Sequence, residues 1–475
     1  MANGRYWLHT LGCPKNEVDS DKLAGVLAGD GYRPAERAQD ADLLVVNTCA
    51  FIEAARQESI DAVLELADLR RPGARLVVTG CMAERYGDEL AAALPEVDLV
   101  AGFGASLAPP APAAPPAQPV TLRARTAPPP TAPPRTAPSS TAPPSTAPSS
   151  TAPSAPAPGG FDLLELPRPP AAAPWAYVKI AEGCDRRCGF CAIPSFRGVQ
   201  RSRSPESVLA EVDRLCAPAG GPPVREVVLV AQDLVSFGRD RRGRASGTPG
   251  SRSSRPAPIV SLLGEVTRRV ERTRVLYVYP SGLTDELVEA IVATGVPYFD
   301  LSLQHVSRPL LAAMRRWGDG ERFLARIEAI RRADPLATLR SSFIVGYPGE
   351  TEEDHDRLLE FLRAAELDWA GFFAFSPEQG THAVGLADQV PSPLAMERLR
   401  ECAELQDAVT ARRRDALVGQ TRRVLVDRPG VARSVHEAPE IDGVVRVPRR
   451  LPAGSLLDVV VTAALGTDLV AEPVP

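Results

Sequence analysis

The sequence predicts an α/β protein of three folded units in series: a small parallel α/β sheet, a parallel sheet of six β/α units curled toward a barrel, and a small antiparallel β-barrel. Three observations carry this. Apolar strand-like runs alternate with helix-like runs over the first hundred residues, and again through the middle of the chain. A Pro-, Ala-, Ser- and Thr-rich stretch separates the two alternating regions. The last sixty-odd residues change to short β-type runs broken by Gly and Pro. The expected divisions are residues 1–104, 105–160, 170–405 and 411–475.

In the first region strands are expected at 6–11, 42–46, 75–78 and 97–100, with helices near 17–27, 53–66 and 84–94. Cys13 follows the first strand in TLGC, Cys49 the second in NTC, and Cys81 the third in TGC. An open α/β sheet binds ligands beyond the carboxyl ends of its strands, so three thiols placed there can converge on one cluster. The alternative is three small buried residues packing at strand ends.

Residues 105–160 contain no acidic residue and only three arginines, and TAP recurs every five residues from Thr126 to Thr151. Such a segment buries too little apolar surface to offset ordering entropy. It is expected to be a disordered, polyproline-II-rich spacer, with a proline-motif docking site as the lesser reading.

The middle region is expected to place strands at 177–180, 226–230, 275–279, 298–303, 338–345 and 370–375. Helices are expected at 205–215, 259–270, 285–294, 322–332 and 351–366, and a surface insertion at 239–258. Barrels of this type keep their chemistry at the carboxyl ends of the strands. Cys184, Cys188 and Cys191, in AEGCDRRCGFC, lie just beyond the first of these strands. Three thiolates in eight residues can hold three irons of a [4Fe–4S] cluster, which normally takes four. With no fourth cysteine nearby, one iron stays open to a small ligand. A structural zinc knuckle or a chance cluster of cysteines is the alternative.

The final region is expected to form strands at 423–426, 444–447 and 457–462. Residues 411–475 carry ten Arg against eight Asp plus Glu and no Phe, Tyr or Trp. Single-stranded nucleic-acid sites usually stack bases on aromatics, so RNA binding there is weakly supported. The whole chain has a net charge of −5 and a pI near 5.8, which argues against a broad polyanion-binding surface. Its 51 arginines against 3 lysines read as base-composition bias rather than RNA binding. No apolar run reaches the ~18 residues of a membrane span, and the start lacks an apolar signal core. A cytoplasmic protein without a membrane partner is expected. Eight cysteines in such a chain favour metal or redox chemistry over disulfides.

The spacing C-x3-C-x2-C behind a strand is the signature of radical S-adenosylmethionine (SAM) enzymes, and the chain resembles the methylthiotransferases of that superfamily. The resemblance covers nearly everything outside the low-complexity stretches. LGCPKNEVDSD, VNTCAFIEAARQESI, TGCMAERYGDEL, KIAEGCDRRCGFCAIPSFRG, LQHVSRPLLAAMRR, FIVGYPGETEED and APEIDGVV carry it. The chain is most similar to the RimO-type branch, which adds a methylthio group to the β-carbon of an aspartate in small-subunit ribosomal protein S-twelve. GCPKN stands where the tRNA-modifying MiaB-type branch usually has GCQMN, and AFSPEQGT resembles the RimO-type form. A terminal region with APEIDG and little basic character suits a protein substrate. In this family the three units are a methylthiotransferase domain, a radical SAM core and a TRAM-like barrel.

The resemblance implies SAM and two [4Fe–4S] clusters as cofactors. Cys184, Cys188 and Cys191 match the cluster that binds and reductively cleaves SAM. Cys13, Cys49 and Cys81 match an auxiliary cluster that supplies or carries sulfur. Cys216 and Cys402 match no such role and read as buried structural thiols. The implied chemistry is a 5′-deoxyadenosyl radical taking hydrogen from an unactivated carbon, capture of sulfur by that carbon, and methyl transfer from a second SAM. The cofactors carry this chemistry, so no general base is named. Candidate SAM contacts are Phe190 for adenine, with core packing as its alternative, Gln232 in VAQD, Gln304 in SLQH, and Gly346 in FIVGYPGE, where glycine permits close approach. Arg201 and Arg203 are candidates for the SAM carboxylate, with a solvated surface role as the alternative. His305 is the one histidine beside this region, and a structural role is its default. The implied partners are ribosomal protein S-twelve, free or within the small subunit, an electron donor and a sulfur source, with the chain acting as a monomer. Two other readings stand: a tRNA adenosine methylthiotransferase, and a non-catalytic iron–sulfur scaffold. Because the two clusters must meet, a direct interface between the first two units is expected, independent of the spacer.

Overall fold

The computed structural model describes residues 4–107, 162–242 and 256–474. Most of the expected spacer over 105–160 and of the insertion over 239–258 lies outside the described residues.

The first unit is a parallel sheet in the order Tyr32–Pro34, Gly4–Thr10, Leu43–Thr48, Arg75–Gly80, Leu99–Val100. Leu43–Thr48 is buried throughout, as suits an apolar strand covered on both faces. Helices Pro14–Gly29, Glu53–Leu69 and Cys81–Ala93 link the strands. The edge strand Tyr32–Pro34 has no signal in the sequence, because three residues ending in proline are too short to show a period.

In the second unit, Trp175–Lys179, Glu226–Val230 and Arg272–Val275 form one parallel sheet, and Tyr298–Gln304, Thr338–Val345 and Trp369–Ala374 another. A parallel bridge between Val278 and Leu301 joins them, with Val278 N–H donating to Asp300 O at 2.9 Å. The six strands therefore run in sequence order as an open barrel. Ser204, Thr284, Asp319 and Thr351 each accept a hydrogen bond from the backbone N–H three residues on, which starts four of its helices. The third strand begins three residues before its expected position. Its first four residues, RTRV, look too polar for a barrel strand, yet all are buried. Arg272 donates to Arg433 O and Arg423 O, and Arg274 to Glu226, so the charges are met by the third unit and the neighbouring strand.

Alternate residues of the barrel strands face opposite ways. Ala176, Val178, Val227 and Leu229 join the core under the helices. Tyr177, Val228, Val230, Leu276 and Tyr298 form a separate cluster together with Val18 of the first unit and Ala438 of the third. Both neighbours thus help fill the barrel interior.

The third unit is a closed barrel of Thr421–Arg428, Val431–Arg433, Val445–Arg446, Asp468–Pro473 and Leu456–Leu465. Four of its pairings are antiparallel, and Val445–Arg446 pairs with Asp468–Pro473 in parallel. A closed ring with an odd number of strands must contain at least one parallel pair. The barrel is held to the core through Glu226, fully buried between Arg274 at 2.8 Å and Arg433 at 3.1 Å. Burial opposes ionisation of Glu226, but the surrounding arginines outweigh it and hold its pKa at about 2. Tyr177 donates to Pro439 O at 2.8 Å and Tyr298 to Asp442 at 2.6 Å.

The first unit docks on the barrel directly. Helix Pro14–Gly29 packs along strand Trp175–Lys179. Lys22 meets Glu211 at 2.9 Å, Lys179 meets Asp19, and Arg85 meets Glu378 at 2.7 Å.

Candidate iron–sulfur and SAM site

The register of the first sheet sets Thr10 beside Asn47, Asn47 beside Thr79, and Thr48 beside Gly80. The chain past each of these strand ends carries a cysteine. Cys13 precedes helix Pro14–Gly29, Cys49 follows Leu43–Thr48, and Cys81 opens helix Cys81–Ala93. Gly12 has φ +99°, and a Cβ on it would stand 2.9 Å from Cys49 Cβ, so only glycine lets the Cys13 loop close over Cys49. Asn16 ties the loops together, donating to Leu11 O at 2.8 Å and Thr48 O at 3.1 Å. The three thiols sense one another. Burial pushes Cys49 up to about 12, with Cys13 and Cys81 adding to it. Cys81 is also raised, first by burial. Cys13 is lowered: burial opposes its ionisation, but Lys15, Arg197 and nearby backbone N–H groups outweigh that.

The second set sits in the loop between strand Ala181–Glu182 and helix Ile193–Arg197. Gly189 N–H donates to Met314 O at 2.8 Å, and Gly189 O accepts from Ala383 N–H at 2.8 Å, which pins the loop to the barrel. Arg186 N–H lies 3.4 Å from Cys184 Sγ, and Arg316 donates to Cys188 Sγ at 3.4 Å. The Arg186 and Arg316 guanidinium groups lie 3.6 and 4.0 Å from the Tyr279 ring centroid. Burial raises Cys184 to about 11 and Cys191 to about 12, the neighbouring thiols adding to it.

Arg197 connects the two sets. It follows Cys191 by six residues, and Nη2 donates to Cys81 Sγ at 3.0 Å and Asn16 Oδ1 at 2.7 Å. Its Nη1 meets Asp19 at 2.8 Å and Glu182 at 3.1 Å. Both donor sets fit a [4Fe–4S] group: three soft thiols, an adjacent guanidinium, and no fourth cysteine. Cys402 is buried in the core within helix Ser392–Asp415, and Cys216 is half-buried at the end of helix Pro205–Cys216. Among the described residues, no three His, Cys, Asp or Glu side chains form a group able to hold a metal ion. A cubane asks for a wider spacing than one ion does, since each thiolate binds a different iron.

The other candidates fall as follows. Phe190 is half-buried against the barrel core. Gln232 donates to Glu182 at 2.6 Å, and its Oε1 is buried without a partner among the described residues. Gln304 ends its strand at a register irregularity with φ +75°. Gly346 also has φ +75°, and a Cβ there would stand 2.5 Å from Ala395 Cβ. The close approach it permits in this structure is to helix Ser392–Asp415. Arg203 is buried and held by Glu211 at 2.6 Å, and Arg201 pairs with Asp162. Each of these two candidates for the SAM carboxylate thus already holds an acidic partner. His305 is buried, accepts from Ser307 N–H at 3.0 Å, and is pushed by burial to about 4, so it is neutral.

Lys15, Asn16, Asp19, Arg186, Arg197 and Arg316 stand inside the quoted motifs, though spacing alone assigns them no role, and Tyr277 and Tyr279 stand outside them. One overlooked signal was compositional. The three lysines among 54 basic residues, Lys15, Lys22 and Lys179, are all buried where the first unit meets the second.

Residues 5–102 match the Uncharacterized protein family UPF0004, 178–362 the Radical SAM superfamily, and 418–474 the TRAM domain. With the cysteine loop at the barrel mouth, these matches define a radical SAM enzyme, a class that uses SAM and a [4Fe–4S] cluster. Known relatives match nearly the whole chain. The ribosomal protein uS12 methylthiotransferase RimO of Streptomyces griseus is 40% identical, over 98% of this chain and 97% of its own. That of Streptomyces avermitilis is 41% identical over 98% and 96%, and that of Moorella thermoacetica 38% over 95% and 95%. The chain belongs to the RimO family of radical SAM methylthiotransferases. Among the described residues no helix is long and apolar enough to cross a membrane.

Proposed function

We propose that this enzyme adds a methylthio group to the β-carbon of an aspartate in ribosomal protein uS12 (S-twelve). The relatives' shared name supports the substrate. The observation that carries the two-cluster reading is Arg197, which bonds Cys81 of one thiol set from the helix that follows the loop bearing the other.

In this reading Cys184, Cys188 and Cys191 hold one [4Fe–4S] cluster, and Cys13, Cys49 and Cys81 hold another. Phe190, Gln232 and Gln304 contact SAM, and Gly346 shapes the wall behind it. With one open iron, such a group supplies reductive cleavage of SAM and so removal of hydrogen from an unactivated carbon. The chain's own residues hold and enclose. Arg186, Arg316 and Tyr279 brace the central loop and set positive charge beside its thiols. Asp19, Lys179, Glu182 and Arg197 lock the first sheet against the barrel. Val18, Tyr177 and Ala438 pack the interior and exclude water. No side chain is assigned proton transfer. The protein works in the cytoplasm as a monomer, with an external electron donor and sulfur source. Its working units are residues 1–104, 170–405 and 411–475.

The test is anaerobic reconstitution followed by incubation with SAM, reductant and either uS12 or unmodified tRNA. Mass spectrometry should find methylthio replacing hydrogen on an aspartate of uS12, with tRNA unchanged. Modification of a tRNA adenosine, or SAM left uncleaved, would refute the reading.

A further inference from the structure

Two of the three lysines have anionic partners. Lys22 pairs with Glu211, and Lys179 with Asp19 and Glu182. Lys15 differs. The residue is only 8% exposed, and among the described residues its ammonium has no carboxylate or carbonyl partner of the kind that holds Lys22 and Lys179. Nζ lies 3.3 Å from the centroid of the Tyr277 ring. A ring face offsets only part of an ammonium's charge, so Nζ remains able to take an anionic partner.

The location gives this charge a use. Lys15 lies two residues beyond Cys13 and acts on it electrostatically. Tyr277 lies two residues past strand Arg272–Val275, at the carboxyl end of the barrel, where the Cys184 loop also follows its strand. It holds φ +66°, an uncommon conformation for a bulky residue, and packs on the interior cluster. The ammonium therefore sits between the first thiol set and the barrel mouth.

We propose that Lys15 is a specificity-determining residue that receives the side-chain carboxylate of the substrate aspartate. This rests on the activity proposed above. In aspartate the reacting β-carbon is bonded directly to the carboxylate carbon. An anchor on the carboxylate thus fixes the reacting carbon one bond away, beside the thiols that Cys13 belongs to. A neutral amide at the same place forfeits the charge-assisted bond.

The test compares the reconstituted enzyme with Lys15→Met, which keeps an unbranched apolar stem, and Lys15→Arg, which keeps the charge. Equilibrium binding and steady-state kinetics are measured with uS12 and with uS12 carrying asparagine at the target. Lys15→Met should raise Kd and KM for uS12 about 10- to 100-fold, with a smaller effect on kcat and unchanged iron content. It should also bind the aspartate and asparagine forms equally, whereas the parent enzyme prefers aspartate and Lys15→Arg keeps part of that preference. Unchanged Kd and KM in Lys15→Met would overturn the proposal. So would an altered electron paramagnetic resonance spectrum of the Cys13 cluster with unchanged Kd, because the ammonium would then serve the cluster. Failure of the proposed function itself is read separately, as a parent enzyme that leaves uS12 unmodified.

Discussion

Cys184, Cys188 and Cys191 share one loop of eight residues, whereas Cys13, Cys49 and Cys81 come from three strand ends spread over residues 13 to 81. The compact set is half-exposed, and the loop that carries it is pinned from within its own barrel by Met314, Ala383 and Arg316. The dispersed set is more deeply placed, with Cys49 and Cys81 buried. It depends on sheet register and on a guanidinium supplied by the other unit. The lesson is one of dependence: the compact set needs a folded barrel, and the dispersed set needs two folded units and the seam between them.

The largest expected effect tests whether the two sets have separate duties. Cys188→Ala should abolish SAM cleavage and product together. Cys13→Ala should abolish the methylthio product while SAM is still cleaved to 5′-deoxyadenosine. Each should lower iron from about eight to about four per chain. Equal loss of SAM cleavage in both variants would erase the distinction.

Arg197→Gln strikes the seam. It removes a cation from buried Asp19 and from Cys81, and should destabilise the fold by about 3–5 kcal/mol in urea titrations. Iron should be lost from the dispersed set first, leaving Cys184, Cys188 and Cys191 loaded. Loss from both sets in equal measure would mean that the seam serves them alike.

Acid should weaken the same seam more mildly. Glu182 lies between the sets; burial opposes its ionisation, but Arg197 and Lys179 outweigh this and hold its pKa at about 2. A carboxylate lowered on folding contributes stability that is present above its unfolded value and lost as pH falls through the folded one. Unfolding free energy should therefore be level near neutrality and drop from about pH 4.5 toward about pH 2. In Glu182→Gln the drop should be shallower.

The smallest effect is expected from the spacer. The first unit reaches the barrel through helix Pro14–Gly29, Arg85 and Arg197, all outside that segment. Deleting residues 113–156 should leave turnover of uS12 within about twofold of the parent, since loop-closure entropy changes slowly with length. A severe loss would show that the chain connection, and not the seam, brings the dispersed set to the barrel.

Much of the fold could be read along the chain. Strands Glu226–Val230 and Thr338–Val345 fall where their apolar runs place them, and helix Glu352–Ala365 starts where Thr351 and Asp354 form a capping box. Arg272–Val275 did not read as a strand, because its arginines find their partners in Arg423, Arg433 and Glu226. The six candidate cysteines stood out by spacing and strand-end position, yet nothing near Cys13 announced that Lys15 would have no carboxylate partner among the described residues.

Sequence alone determined the order of β/α units, the helix starts and the compact cysteine loop, because each depends on residues within a few positions of one another. The tertiary structure decided which arginine meets Cys81, what lies against Gly346, what fills the barrel, and which lysine remains unpaired. Those outcomes depend on partners often more than a hundred residues away, as Arg197 is from Cys81 and Tyr277 from Lys15. Only the folded chain brings such charges and rings together, and burial then makes each pairing count.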